Sequence, residues 1–170
     1  MKPPSSLLLS ADGSFPERGI LAGVDYGTVR VGLALCDDRQ TMAFPHVTLP
    51  AKSKDELKRQ LERQIRLQRI VGFVVGLPIH TNGAESEKSR EARTWGKWLF
   101  DWSALPVRFF DERYTTSQAD EYLAFAGLTK KRRTERRDQL AAQILLTSYL
   151  ESSSRDVEPG ALDDDRPWKR

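Results

Sequence analysis

Hydrophobic periodicity along the chain switches several times, and the switches outline a fold. The stretch LAGVDYGTVRVGLAL opens with small and apolar residues up to Tyr26, passes through Gly27–Thr28, and resumes as VRVGLALC. Two extended runs joined by a glycine turn predict a β-hairpin. TMAFPHVTL reads as a third, shorter strand, placed at an edge by Pro45, which has no N–H to donate to a second neighbour. In SKDELKRQLERQIRLQR the period changes. Leu57, Leu61 and Ile65 recur four residues apart, behind the cap pair Ser53 and Glu56, and predict a helix. RIVGFVVGLP is almost wholly apolar, as a central strand covered on both faces would be.

The second half continues the alternation. AESEKSREARTWGKWLFDW predicts a helix with Trp95, Trp98 and Trp102 at i, i+3 and i+7. That spacing is read as a core face rather than a base-stacking platform. LPVRFFDE is a fifth strand, TTSQADEYLAFAG a helix stopped by Gly127, and DQLAAQILLTSYLES a last helix following the basic run KKRRTERR. Three strands followed by helix–strand–helix–strand–helix–helix imply an α/β fold. Its mixed five-stranded sheet has an antiparallel meander on one side, parallel crossovers on the other, and helices on both faces. Residues 1–18 lack periodicity and are expected to be a flexible arm, as is the tail 152–170.

Composition narrows the class. With 170 residues, 39% hydrophobic and 30% charged, the chain has one domain's worth of core and a polar surface. No apolar run reaches the ~20 residues of a membrane span, and SLLLS is too short for a secretory core, so a cytoplasmic protein without a membrane partner is expected. A single cysteine, Cys36, excludes an internal disulfide and a cysteine-based zinc site, and His46 and His80 form no cluster. A metal would need carboxylate ligands, which favours Mg²⁺ or Mn²⁺. The net charge of +3 is modest, but six of the eight residues from Lys130 to Arg137 are cationic. Such local density fits contact with a polyanion at one place, against the alternative of a solvated loop.

Three acids stand where acids are costly. Asp25 lies in the apolar first strand, two residues before a glycine. The fifth strand ends in Asp111 and Glu112, which alternation sends to opposite faces, so that one of them can share a face with Asp25. Asp138 heads the apolar stripe of the last helix, with Ala141, Ala142 and Leu145 three, four and seven residues on. A favourable charge in a helix's first turn is the ordinary account of Asp138 alone. Three converging carboxylates would repel one another without a cation. With two divalent ions about 3.5–4 Å apart, they would make a phosphodiester-cleaving centre.

GVDYGTVRVGLAL, VVGLPIHTNG, DERYTTSQA and DQLAAQILLTSYL resemble, in order and spacing, the YqgF/RuvX family over about residues 19–151. These RNase H-like proteins are described as Holliday junction resolvases and as pre-16S rRNA processing nucleases. The resemblance implies an RNase H-like three-layer domain with strand order 3-2-1-4-5. It also implies catalytic, metal-binding acids at Asp25, Glu112 and Asp138, choosing Glu112 over Asp111. Thr28, Gly76, Pro78, Arg113 and Thr116 fall in its substrate-facing motifs. The loop HTNG departs from the family's frequent N-x-D-G, with His80 and Asn82 replacing the Asn and Asp.

The reading that follows is a metal-dependent nuclease acting on structured nucleic acid, pre-rRNA in a ribosomal precursor particle or branched DNA. Asp25 would bridge two Mg²⁺ or Mn²⁺ ions, with Glu112 and Asp138 completing the ligand set. Arg30, Arg113 and the run containing Lys130, Lys131, Arg132 and Arg133 would hold phosphates. A resolvase would act as a homodimer, whereas a processing nuclease could be a monomer. Two rivals accompany it. D-x-G-T after a strand also opens actin-like kinases and ATPases, but those close two such domains around ATP. A non-catalytic RNA-binding module for ribosome assembly would keep the fold without turnover.

Overall fold

The structure, a computed structural model, describes residues 6–78, 84–112 and 129–152. Among the described residues there are six strands: β1 (Leu8–Leu9), β2 (Ile20–Tyr26), β3 (Arg30–Cys36), β4 (Ala43–Pro50), β5 (Ile70–Leu77) and β6 (Val107–Asp111). They form one sheet in the order β1-β6-β5-β2-β3-β4. β2, β3 and β4 are an antiparallel meander, while β5 runs parallel to both β2 and β6. The five predicted strands thus take their expected order, and Pro45 does lie in an edge strand.

The sixth strand departs from expectation. Within the segment expected to be a flexible arm, Leu8 and Leu9 pair antiparallel with Arg108 and Val107, and Leu7 is buried. A two-residue strand leaves no periodic signal in sequence; the sheet edge offered by β6 creates it.

Helices α1 (Lys54–Gln68) and α2 (Glu87–Ser103) cover one face of the sheet. Ser53 caps α1 by accepting from the Glu56 N–H, and Leu57 and Leu61 are its buried anchors, as the spacing implied. Trp95 is buried against the core, and Trp98 and Trp102 pack beside it with partial exposure. Lys54 and Lys58 lie over the rings of Trp98 and Trp102, tying α1 to α2.

The opposite face carries α3 (Lys130–Glu151), whose Ala142, Leu145, Leu146 and Tyr149 pack on Leu21, Ala34, Cys36, Val74 and Phe110. This helix begins eight residues earlier than expected. Thr129 caps it by accepting from the Arg132 N–H, so the basic run forms its first two turns instead of a separate stretch before it. The expected helix ending at Gly127, and Arg113 and Thr116, lie outside the described residues, as do His80, Asn82 and residues 153–170.

The meander can be roofed by α3 because two glycines remove side chains beneath it. A Cβ on Gly23 would stand 2.8 Å from the Ala142 carbonyl oxygen, and one on Gly32 would collide with the Asp138 backbone carbonyl. The helix backbone therefore rests almost directly on β2 and β3.

Candidate active site

Alternation along each strand decides which acids meet. On β2, Ala22 and Val24 face the α1/α2 core while Leu21 faces α3, so Asp25 shares the α3 side with Leu21 and Gly23. On β6, Phe109 belongs to the α1/α2 core and Phe110 to the α3 core. Asp111 therefore turns toward α2, where it is buried, and Glu112 follows Phe110 to the side of Asp25. Gly76 on β5, between the two strands, confirms the placement. A Cβ there would strike the Glu112 carboxylate, so the missing side chain is what lets Glu112 reach across β5 toward β2.

Asp138 arrives from above. Asp25 is paired with Gly32 across the β2–β3 ladder, and the Asp138 backbone sits on Gly32. One register pair thus brings the helix acid beside the strand acid. Because α3 starts at Lys130, Asp138 is its ninth residue, well past the first turn where the helix dipole would favour a carboxylate. The dipole account of this acid is removed by the helix boundary.

The electrostatics follow from crowding. Burial first, then the charge of Asp138, pushes the Asp25 carboxyl up to about 6. Burial first, then Asp25 and Asp111, pushes Glu112 up to about 7. Both acids are disfavoured as anions where they stand. Asp138 has a partner: Arg30 Nε donates to its Oδ2 at 2.8 Å. Asp25 forms no ion pair among the described residues. Nor do any three His, Cys, Asp or Glu side chains among them stand close enough to grip one ion as arranged.

The donor set nevertheless fits a hard divalent cation. Two carboxylates from the ends of β2 and β6, either side of β5, have raised proton affinity, and a cation would relieve their repulsion. Asp138 could join them on leaving Arg30.

Asp25, Glu112 and Gly76 form one wall of a cleft of about 340 Å³. Thr28 and Pro78 also line it, and α2 contributes Lys88, Glu91 and Ala92 on the same side as Tyr26, which packs on Trp95 of that helix. The α2 residues and Tyr26 were not foreseen. Their signal is only that Lys88, Glu91, Ala92 and Trp95 share one helix face, and nothing in the sequence says what that face overlooks. The cleft's α2 wall is anchored. Ser86 Oγ donates to the Pro78 carbonyl at 2.6 Å, and buried Arg93 bridges Glu85 and the Ser6 carbonyl, each at 2.9 Å. Arg30 and the exposed Lys130, Lys131, Arg132 and Arg133 lie outside the described lining of the cleft. Arg30 touches Asp138, and the four basic residues lie within about 12 Å of it along the helix axis, at 1.5 Å per residue.

A mixed sheet with this strand order, flanked by helices and bearing acids at the ends of its parallel strands, is the RNase H-like architecture. The family model for RuvX, described as Holliday junction resolvase, matches residues 19–152, and the chain belongs to that family. A Rhodopirellula baltica protein named "Putative pre-16S rRNA nuclease" is 42% identical over 149 residues, 88% of this chain and 86% of that protein. A Zymomonas mobilis protein of the same name is 36% identical over 82% of this chain and 85% of its own length. Among solved structures, T. thermophilus RuvC in complex with a Holliday junction substrate matches with a TM-score of 0.47 and 12% identity, over 85% of this chain and 99% of that chain.

Proposed function

We propose that this protein is a metal-dependent nuclease that hydrolyses phosphodiester bonds in structured nucleic acid, and that its substrate is the 5′ end of pre-16S rRNA. The observation that carries the reading is the meeting of Asp25 and Glu112 at the cleft wall, with Asp138 beside Asp25 and raised proton affinity at both strand acids. Asp25, Glu112 and Asp138 would hold Mg²⁺ or Mn²⁺. When bound, a pair of such ions supplies an activated water and neutralises the leaving oxygen.

The remaining work falls to the chain's own groups. Arg30, half-exposed beside Asp138, offers a guanidinium to a phosphate without leaving the site. The first two turns of α3 carry Lys130 to Arg133 and Arg136 to Arg137 around the helix just ahead of Asp138, a cationic end that would draw a nucleic-acid backbone toward the acids. Thr28 and the Gly76–Pro78 segment let a chain approach closely. RNA as substrate is favoured by the naming of the relatives at 42% and 36% identity. A second reading, resolution of four-way DNA junctions by a homodimer, is favoured by the description of the matching family.

The test is cleavage of a precursor 16S rRNA end and of a four-way DNA junction, each with Mg²⁺ or Mn²⁺. Site-specific cutting of the RNA, abolished by Asp25→Asn while binding persists, supports the proposal. Equal cutting by wild type and variant would refute it, and cutting of the junction alone would establish the second reading.

A further inference from the structure

Asp25 and Glu112 occupy only one wall of the cleft. The opposite wall is built differently, and the hydrolytic centre does not account for it. Tyr26 directly follows Asp25, and alternation turns it to the other face of the sheet, so the strand end splits the cleft into an acidic side and an aromatic side. Its ring rests on buried Trp95, with centroids 5.4 Å apart and planes 30° from parallel. Trp95 in turn packs on Trp98 at 5.9 Å, and Trp98 on Trp102 at 5.7 Å. Tyr26 is thus the cleft end of a chain of four aromatic rings in contact, braced against the core. Lys88 and Glu91, about two turns and one turn before Trp95 on the same helix face, are exposed at the rim above it.

We infer that this α2 side of the cleft is a subsite for a single unpaired nucleotide, Tyr26 stacking on its base and Lys88 pairing with its phosphate. The inference rests on the nuclease reading above and narrows its substrate class. A braced aromatic ring beside a cation is how proteins hold bases of single strands, whose faces are free. Inside a duplex the base would have to leave its stack to reach the ring. The volume of about 340 Å³ is on the scale of one nucleotide. Glu91 repels phosphate and accepts hydrogen bonds, so it belongs over the base or sugar, with Lys88 toward the backbone. The substrate cut here therefore carries an unpaired nucleotide beside the scissile phosphate.

The experiment uses the full chain in an Asp25→Asn background, so that binding is read without cleavage. The probes are short oligonucleotides, RNA and DNA in parallel, carrying 2-aminopurine at successive positions, single-stranded or annealed to a complement. Stacking quenches 2-aminopurine, so binding of the single strand is expected to quench one position strongly. Adding Tyr26→Leu is expected to abolish that quench and weaken single-strand affinity about ten-fold, with duplex affinity within two-fold. Tyr26→Phe should preserve both quench and affinity. Lys88→Ala, an exposed change that cannot disturb the core, should keep the quench and lower the salt slope of binding by about one. Unchanged quenching in Tyr26→Leu, or equal losses on single strand and duplex, would overturn the subsite while leaving the nuclease reading intact. If Tyr26→Leu does not fold, loss of quench in Tyr26→Phe or an unchanged salt slope in Lys88→Ala overturns it equally. Failure of every probe to bind any variant would instead remove the nuclease reading and the subsite with it.

Discussion

Arg30, at the first position of β3, holds Asp138, at the ninth position of α3, by a hydrogen-bonded ion pair of 2.8 Å across 108 residues of sequence. The pair pins the α3 acid of the site to the strand beside Asp25, and it occupies one of that acid's two carboxylate oxygens. Because Arg30 is 40% exposed, the pair contributes little to stability, about 1 kcal/mol or less. Arg30→Met should therefore leave the fold's stability nearly unchanged. Freed from its competitor, Asp138 should bind divalent cation more tightly, read by calorimetric titration with Mn²⁺. Nucleic-acid affinity should fall and its salt slope drop by about one. Unchanged Mn²⁺ affinity would show that the pair does not compete for the acid.

The raised proton affinities of Asp25 and Glu112 make stability depend on pH in an unusual direction. A carboxyl with a higher pKa folded than unfolded stabilises the fold most below the ordinary carboxylate range, and that contribution is lost as pH rises through about 6 for Asp25 and about 7 for Glu112. Metal-free protein should thus melt lower at pH 8 than at pH 5. Asp25→Asn should stabilise the metal-free chain at pH 8 by on the order of 1–2 kcal/mol and do little at pH 4. A melting temperature for wild type that rises steadily from pH 5 to 8 would contradict this.

Added Mg²⁺ should reverse the effect by mass action, since an ion bound only to the folded state stabilises it. Wild type at pH 8 is expected to gain several degrees in thermal melting with millimolar Mg²⁺, and Asp25→Asn to gain much less. Equal gains would place the binding elsewhere.

Two glycines of the site should respond oppositely to alanine. At Gly32 the obstacle is the Asp138 backbone, which cannot move without lifting α3 from the sheet. Gly32→Ala should destabilise by about 1–3 kcal/mol. At Gly76 the obstacle is the end of the Glu112 side chain, which can swing aside. Gly76→Ala should melt close to wild type yet lose nearly all cleavage, because Glu112 is displaced. Denaturant unfolding alongside the cleavage assay separates the two.

The amino-terminal strand should matter although it precedes the residues that the family shares. Deleting residues 1–9 removes buried Leu7, the β1–β6 pairing and the Ser6 carbonyl that Arg93 contacts. Burial of one leucine alone is worth about 1.5–3 kcal/mol, and a measurable fall in melting temperature is expected. A truncated chain as stable as the whole would mean that the pairing adds nothing in solution.

Local pattern carried most of the architecture. Changes of period from two to near four marked the core strands and two of the helices, Ser53 marked a helix start, and Pro45 an edge, because each reports backbone geometry that neighbouring residues enforce. It also marked Asp25, Asp138 and one of Asp111 and Glu112 as acids out of place. What it could not give were relationships between distant elements. The basic run, polar on every side, has no period to reveal that it is helical, and Leu8–Leu9 become a strand only because β6 offers an edge. Likewise, the packing of α3 on Gly23 and Gly32 decides that Asp138 stands over Asp25, and the sheet's facing decides that Glu112, not Asp111, turns toward them. The sequence by itself determined which residues bear unusual charge and which segments extend or coil. Only the tertiary structure decided which charges meet, because that depends on register and close packing between segments far apart in the chain.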